Sequence, residues 1–175
     1  MIVYQSSKLD FCRDVETGAI DDIVLGRLRG ALGMGAAASQ MRAWQSSLAH
    51  MHLVLVDREI PADTGVGIEY QIPQTAKRID VLLSGRDDTS ADRVVIVELK
   101  QWQDAESTPM DGVVRTVMGG ALVSTPHPSY QAWSYAELLR GFNATVYEND
   151  VAIHPCAFLH NYRSPGALDE DLYAH

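Results

Sequence analysis

Three residues near the middle of this chain have the types and the spacing that cation-assisted hydrolysis needs: Asp80, Glu98 and Lys100. Asp80 lies in Arg78-Ile79-Asp80-Val81-Leu82-Leu83, and Glu98 and Lys100 close Val94-Val95-Ile96-Val97-Glu98-Leu99-Lys100. Both segments read as strands, and the second is an apolar run of the kind that lies buried inside a sheet. An unpaired carboxylate in such a place is costly, so something must cancel its charge. Lys100 would cancel one of the two acids, whereas a divalent cation would cancel both. Glu98 and Lys100 are two residues apart and point the same way, and Asp80 is expected to share its face with Arg78 and Leu82. If the strands pair with Asp80 near Glu98, their carboxylates can share one ion. A small set of oxygen ligands suits Mg²⁺ or Mn²⁺. Lys100 would stand beside the attacking water, orient it or hold its hydroxide form, and reach a scissile phosphate. The ion would offset charge at phosphorus and lower the pKa of the water. The competing reading is two buried ion pairs, Lys100 with Glu98 and Arg78 with Asp80. The presence of all three residues on consecutive central strands favours the metal.

The elements that must position these residues follow from pattern. Asp10 to Ala37 suggests one or two short helices and then a small-residue loop or close-packing region at Gly30 to Ala38. Ser39 is the expected N-cap of an amphipathic helix ending near Asp57, with Met41, Trp44, Leu48, Met51 and Leu55 at helical spacing. Pro61 and Gly65 mark a loop. Strands are expected at Val66 to Ile72, Arg78 to Ser84 and Arg93 to Lys100. Their short links, Pro73 in the first and Gly85-Arg86-Asp87-Asp88 in the second, favour an antiparallel meander. Gly112 to Val117 and Ala121 to Ser124 would form an extra hairpin around Gly119-Gly120. A second helix starts near Pro128 and runs to about Phe142. Val151 to Leu159 reads as a last buried strand, and the tail from Arg163 has turn and acidic character. The fold class is therefore α/β, a sandwich of order α-β-β-β-α-β with a mixed central sheet.

The chain has 175 residues, enough for a single domain with a real core. Two cysteines, Cys12 and Cys156, suggest free thiols and a cytoplasmic setting. The start Met1-Ile2-Val3-Tyr4-Gln5 lacks the pattern of a signal peptide, and no apolar run approaches the roughly 20 residues of a membrane span. The net charge of −9 at first opposes a nucleic-acid partner. The excess is uneven. Up to Lys100 there are 11 basic and 14 acidic residues, and from Gln101 onward 3 basic and 9 acidic. Weak nucleic-acid binding by this domain alone is expected, with another module supplying more of the phosphate grip.

Asp80, followed by Glu98-Leu99-Lys100 after four apolar residues, resembles the PD-(D/E)xK signature of restriction-endonuclease-like nucleases. His127-Pro128-Ser129-Tyr130-Gln131-Ala132-Trp133-Ser134-Tyr135 adds Gln131-x-x-x-Tyr135, which is similar to the Gln-x-x-x-Tyr motif of the RecB-like branch. Gln131 and Tyr135 lie one turn apart on one helix face. The resemblance implies a three-layer α/β/α core and a Mg²⁺- or Mn²⁺-dependent deoxyribonuclease, an endonuclease among the options, whose products carry 5′-phosphates. It implies that Asp80 and Glu98, with the Leu99 backbone carbonyl, hold the metal and that Lys100 assists the water. Gln131 would position Lys100 or the DNA backbone. Tyr135 would contact DNA or brace the site, and Lys77 and Arg78 would bind nucleic acid. The Pro of the signature is replaced here by Ile79.

Family members often add an upstream acid on the first helix, where this chain has only Gln40 near the helix start. Glu69 is the candidate instead, either as a further metal ligand or as an edge-strand acid in solvent. Longer stretches, Ile68-Glu69-Tyr70-Gln71-Ile72-Pro73-Gln74-Thr75 and Val97-Glu98-Leu99-Lys100-Gln101-Trp102 among them, resemble the N-terminal segment of bacterial proteins that carry a Schlafen-associated, helicase-like ATPase. That resemblance covers most of the chain. It implies a fragment of a longer protein that acts in DNA processing or defence against foreign DNA, with an attached or separate ATPase module as partner. A different class of function stays open: a nuclease-like fold without turnover that binds nucleic acid or docks an ATPase. RNA stays open as a substrate, since nothing in the sequence reads a 2′-hydroxyl. His50-x-His52 on a helix cannot chelate together, and His154, Cys156 and His160 make a weak zinc candidate. His127 would lie near the site or cap the second helix. Trp102 and Trp133 would be core or surfaces for base stacking.

Overall fold

The computed structural model describes residues 2–32, 38–163 and 166–169, with the side chains of 28–42 left aside. Much of the expected small-residue loop, the side chains of Ser39, Gln40 and Met41, and most of the tail beyond Arg163 lie outside the described residues.

The chain opens with a strand that its residue pattern does not announce, β1 (Ile2–Ser7). Val3 and Tyr4 are adjacent in sequence and both buried, so no two-residue alternation marks the strand. Ser7 then starts α1 (Lys8–Glu16), its hydroxyl accepting from the Asp10 amide at 3.1 Å. Two longer helices follow, α2 (Ala19–Leu32) and α3 (Ala38–Leu55). Ser39 lies inside α3 rather than before it, which corrects its assignment as the N-cap. Leu48, Met51 and Leu55 are buried as their spacing requires, and Trp44 is half-buried against the same core.

β2 (Gly65–Gln71), β3 (Arg78–Arg86) and β4 (Asp92–Lys100) form the expected antiparallel meander. A small three-stranded sheet follows: β5 (Glu106–Ser107), β6 (Val113–Met118) and β7 (Ala121–Pro126). Then come α4 (Pro128–Phe142), α5 (Ala144–Glu148) and β8 (Ala152–Leu159). Proline sits in the first turn of α4, where its missing N–H leaves no bond unmade. The main sheet has the order β1-β2-β3-β4-β8, and only the β4–β8 pair is parallel, reached through α4 as a crossover. The molecule is thus mixed α/β with a mostly antiparallel mixed sheet. β8 is an edge strand, and of its residues only Ile153 is fully buried. This corrects the expectation of a buried final strand: among the described residues, β8 has β4 on one side and no strand on the other.

Two cores cover the two faces of the sheet. Phe11, Ile20, Val24, Leu48, Met51 and Leu55 from α1–α3 pack on Val66, Ile68, Val81 and Val97. Ala132, Tyr135, Ala136 and Leu139 of α4 pack on Ile72, Ile79, Ile96 and Ile153. Membership of these cores shows a reversal. Along β2, Val66 and Ile68 belong to the α1–α3 side, but Tyr70, and Ile72 just beyond the strand, to the α4 side. Along β3, Val81 belongs to the first and Ile79 to the second. Strict alternation would keep each set together. Glu69, between Ile68 and Tyr70, has a positive φ of 53°, a left-handed conformation that a non-glycine residue adopts at a cost. It turns β2 over, and β3 follows at the paired positions Ile68↔Val81 and Tyr70↔Ile79. Among the described residues no helix is long and apolar enough to cross a membrane.

Candidate active site

Asp80 sits where β3 changes face. The β3–β4 ladder runs from Arg86↔Asp92 to Val81↔Val97, and beyond it the Asp80 Oδ2 accepts from the Leu99 backbone amide at 2.8 Å. A carboxylate therefore replaces a main-chain carbonyl as the last acceptor of the ladder. Continuing the register places Asp80 beside Glu98, and the two carboxyl groups come close enough for one proton to bond both. Burial raises the pKa of Asp80, against the lowering effects of the Leu99 amide and the Lys100 charge. Glu98 is 2 % exposed and is pushed up to about 7, first by burial and then by the charge of Asp80.

Glu98 divides its two oxygens between different neighbours. Oε1 accepts from the Lys100 ammonium at 2.7 Å and from the Gln131 amide at 2.6 Å. Oε2 is buried without a donor among the described residues. A carboxylate oxygen set beside a second carboxylate needs a proton or a cation between them. Gln131 is the hub of the remaining contacts. Its Oε1 accepts from Lys100 at 3.1 Å, and its Nε2 donates to Glu98 and, at 2.8 Å, to the Tyr135 hydroxyl. The ring of Tyr135 is buried against the sheet and carries the Lys77 ammonium above it, 5.6 Å from the centroid. Burial, and next the Glu98 charge, raises the pKa of the Tyr135 phenol. Lys100 also lies over the Trp102 ring at 5.6 Å, with Trp102 buried in a small core with Ala105 and Val114. Gln101 ties the end of β4 to α3 by donating to the Ala43 carbonyl at 2.7 Å.

Glu69 is neither at a sheet edge nor in solvent. β2 lies between β1 and β3, and Glu69 is 8 % exposed, which overturns the edge-acid reading. Its Oε2 accepts from Arg78 at 3.1 Å, and the Trp44 indole donates to it as well. Burial and the charge of Asp80 push its pKa up to about 7. Arg78 thus pairs with Glu69 and not, as the ion-pair reading had it, with Asp80 directly. Trp44 was legible only as a core residue, because helical spacing shows a stripe and not the one polar atom within it.

The structure therefore brings Asp80, Glu98, Leu99, Lys100, Gln131 and Tyr135 into one contiguous cluster, with Glu69, Arg78 and Lys77 beside it. Among the described residues no three His, Cys, Asp or Glu side chains converge as a metal cage. Two carboxylates do converge, and Mg²⁺ is commonly held by one or two carboxylates with waters. The orphaned Glu98 Oε2 and the raised pKa values fit a cation placed between the pair.

Other candidates separate. His50 stacks on His160 with ring centroids 4.2 Å apart, while His52 points to Glu16. His127 caps α4, its Nδ1 accepting from Ser129 and its Nε2 lying 3.1 Å from the Leu168 carbonyl. Trp133 is exposed and pairs with Tyr130. No protein-family model, no curated protein and no solved structure matches this chain.

Proposed function

We propose that this chain is a metal-dependent deoxyribonuclease domain with a PD-(D/E)xK centre on a restriction-endonuclease-like core. One observation carries the reading: two buried carboxylates, Asp80 and Glu98, lie side by side with one oxygen unserved, while Lys100 and Gln131 hold the other oxygen of Glu98. Asp80 and Glu98, with the Leu99 carbonyl, would hold Mg²⁺ or Mn²⁺. The cation would supply positive charge and Lewis acidity at a phosphate. Lys100 is fixed by Glu98 and Gln131 and backed by Trp102, so its ammonium is pre-oriented to hold a water and to balance charge on a phosphate oxygen. Gln131 is a positioning residue for Lys100. Glu69, held by Arg78 and Trp44, tunes the pair through its charge. Lys77 and Arg78 offer cations to the phosphates that flank the cut.

The test is incubation of plasmid, linear and single-stranded DNA with Mg²⁺ or Mn²⁺. Cleavage should fall at least about a hundredfold in Asp80→Ala and in Lys100→Ala. Undiminished cleavage in either protein would overturn the role of the residue it lacks. A second reading, a nuclease-like module that binds without turnover, has one observation in its favour: burial raises the pKa of both Asp80 and Glu98, so a proton can join the pair where a metal would otherwise sit. In that case millimolar Mn²⁺ would neither bind by calorimetry nor raise the melting temperature. A role beside an ATPase module, in processing or defence against foreign DNA, belongs to the first reading and is tested by co-purification from the native host.

A further inference from the structure

One stripe of α4 continues from the candidate site into a cavity that the proposed chemistry does not use. Gln131 and Tyr135 face the carboxylate pair, and Leu138 and Phe142 follow at helical spacing on the same side. Leu138 and Phe142 form one wall of a cavity of about 510 Å³, with Ile72 and Pro73 of the β2–β3 turn opposite. At 1.5 Å per residue, the cavity begins about 10 Å along the helix from Gln131. Lys77 lies between the two places, at the end of the same turn, its ammonium over Tyr135 and its carbonyl accepting from the Ile72 amide at 3.0 Å.

The walls have a specific chemistry. Phe142 is 83 % exposed although it lines a concavity, so its ring presents a flat apolar surface that the described residues leave uncovered. Gln74 and Asn143 add side-chain amides at the rim. Asn143 uses its Oδ1 to cap α5, at 3.3 Å from the Val146 amide, so its Nδ2 is the group the cap does not use. A flat ring, amide edges and a cation between the cavity and the Asp80–Glu98 pair suit an unpaired nucleotide. The volume lies in the range of small-ligand sites. A paired base cannot enter such a cavity without leaving its duplex.

We propose that the cavity between the β2–β3 turn and the α4–α5 junction is a base-binding subsite that receives an unpaired nucleotide of the strand whose backbone lies at Asp80 and Glu98. The proposal rests on the nuclease reading for the strand's path, and it makes the substrate a single strand or a frayed end rather than an intact duplex. Phe142 stacks on the base, Asn143 and Gln74 meet its edges, and Lys77 holds a phosphate between cavity and cut.

The experiment separates this proposal from the nuclease reading by measuring binding without cleavage. Anisotropy of a labelled single-stranded oligonucleotide and of the same sequence as a duplex is recorded in EDTA, for the whole chain, Phe142→Ala, Asn143→Ala and Asp80→Ala. The single strand should bind more tightly than the duplex. Phe142→Ala should weaken single-strand binding about tenfold, with an unchanged melting temperature because the ring is exposed. Asp80→Ala should retain the preference. If Mn²⁺ then yields no Asp80-dependent cleavage, the nuclease reading fails while the base-binding subsite stands. Equal single-strand affinity for the whole chain and Phe142→Ala overturns the subsite, whether or not DNA is cut. Self-association that Phe142→Ala abolishes, without oligonucleotide binding, also overturns it and assigns the groove to a second copy of the chain.

Discussion

Glu98 concentrates the conflict in this molecule. Its carboxylate is buried, one oxygen accepts two hydrogen bonds and the other has no donor among the described residues, and Asp80 repels it. The sign of the pH dependence follows. A carboxyl pKa raised in the folded state contributes stability that is complete below the unfolded value and is lost as pH rises through the folded value. With Glu98 and Glu69 both pushed up to about 7, the metal-free protein should melt at progressively lower temperature as pH rises from about 5 to 8. Scanning calorimetry in EDTA checks this, and Mn²⁺ should reverse the loss at pH 8, because an ion favours the deprotonated pair. Asp80→Asn sharpens the prediction. Asparagine keeps an acceptor for the Leu99 amide and offers a donor to the Glu98 carboxylate. At pH 8 in EDTA it should therefore stabilise the fold by about 1–3 kcal/mol, or a few degrees, while abolishing metal-dependent cleavage. Gln131→Ala removes the one group that touches Glu98, Lys100 and Tyr135 together. Cleavage should fall by about 10- to 100-fold with a smaller change in substrate affinity, as a kcat-against-KM split would read.

At the scale of elements, the site depends on two departures from regular geometry. β2 reverses its faces at Glu69, and β3 gives up its ladder at Asp80. Glu98 keeps the face of Ile96 on the α4 side, the continued register sets Asp80 beside it, and the reversal leaves the Glu69 carboxylate held by Arg78 and by Trp44 of α3. A third special place is Gly112, with φ of 63°, whose carbonyl accepts from the His127 amide at the start of α4. A Cβ there would lie 3.3 Å from the Tyr130 ring. Gly112→Ala should cost about 1–2 kcal/mol in chemical denaturation, from the left-handed backbone alone, and more if Tyr130 cannot shift. Most elements were legible. α4 begins at Pro128 as its sequence requires, the hairpin of β6 and β7 lies around Gly119-Gly120, and the meander strands shift by two residues at most. β1 was not legible, because its buried residues are neighbours and its pairing partner, β2, is some sixty residues away along the chain.

For the whole molecule, charge and shape pull in different directions. A net charge of −9 repels nucleic acid at long range, yet Lys77 and Lys100 lie on the acid pair's own side and Arg78 stands beside it on Glu69. DNA affinity should thus be modest and salt-sensitive, and Lys77→Ala should reduce the slope of log affinity against log salt by about 0.7 for a single strand. Titration between about 50 and 200 mM salt, the range over which phosphate contacts are read out, measures that slope.

The sequence by itself determined that two acids and a lysine sit on adjoining strands and that a Gln-x-x-x-Tyr pair shares a helix face. Such statements need only local periodicity, which a chain carries in every turn and pleat. It also determined the order of the main elements, since caps, prolines and turn residues act over a few positions. Tertiary structure alone decided that Gln131 touches Lys100 and Glu98, and that Glu69 is buried against Arg78 and Trp44 instead of exposed at an edge. It alone decided that a cavity continues the stripe of α4. These depend on register and packing between segments far apart in sequence, where a single residue in a left-handed conformation redirects every side chain beyond it.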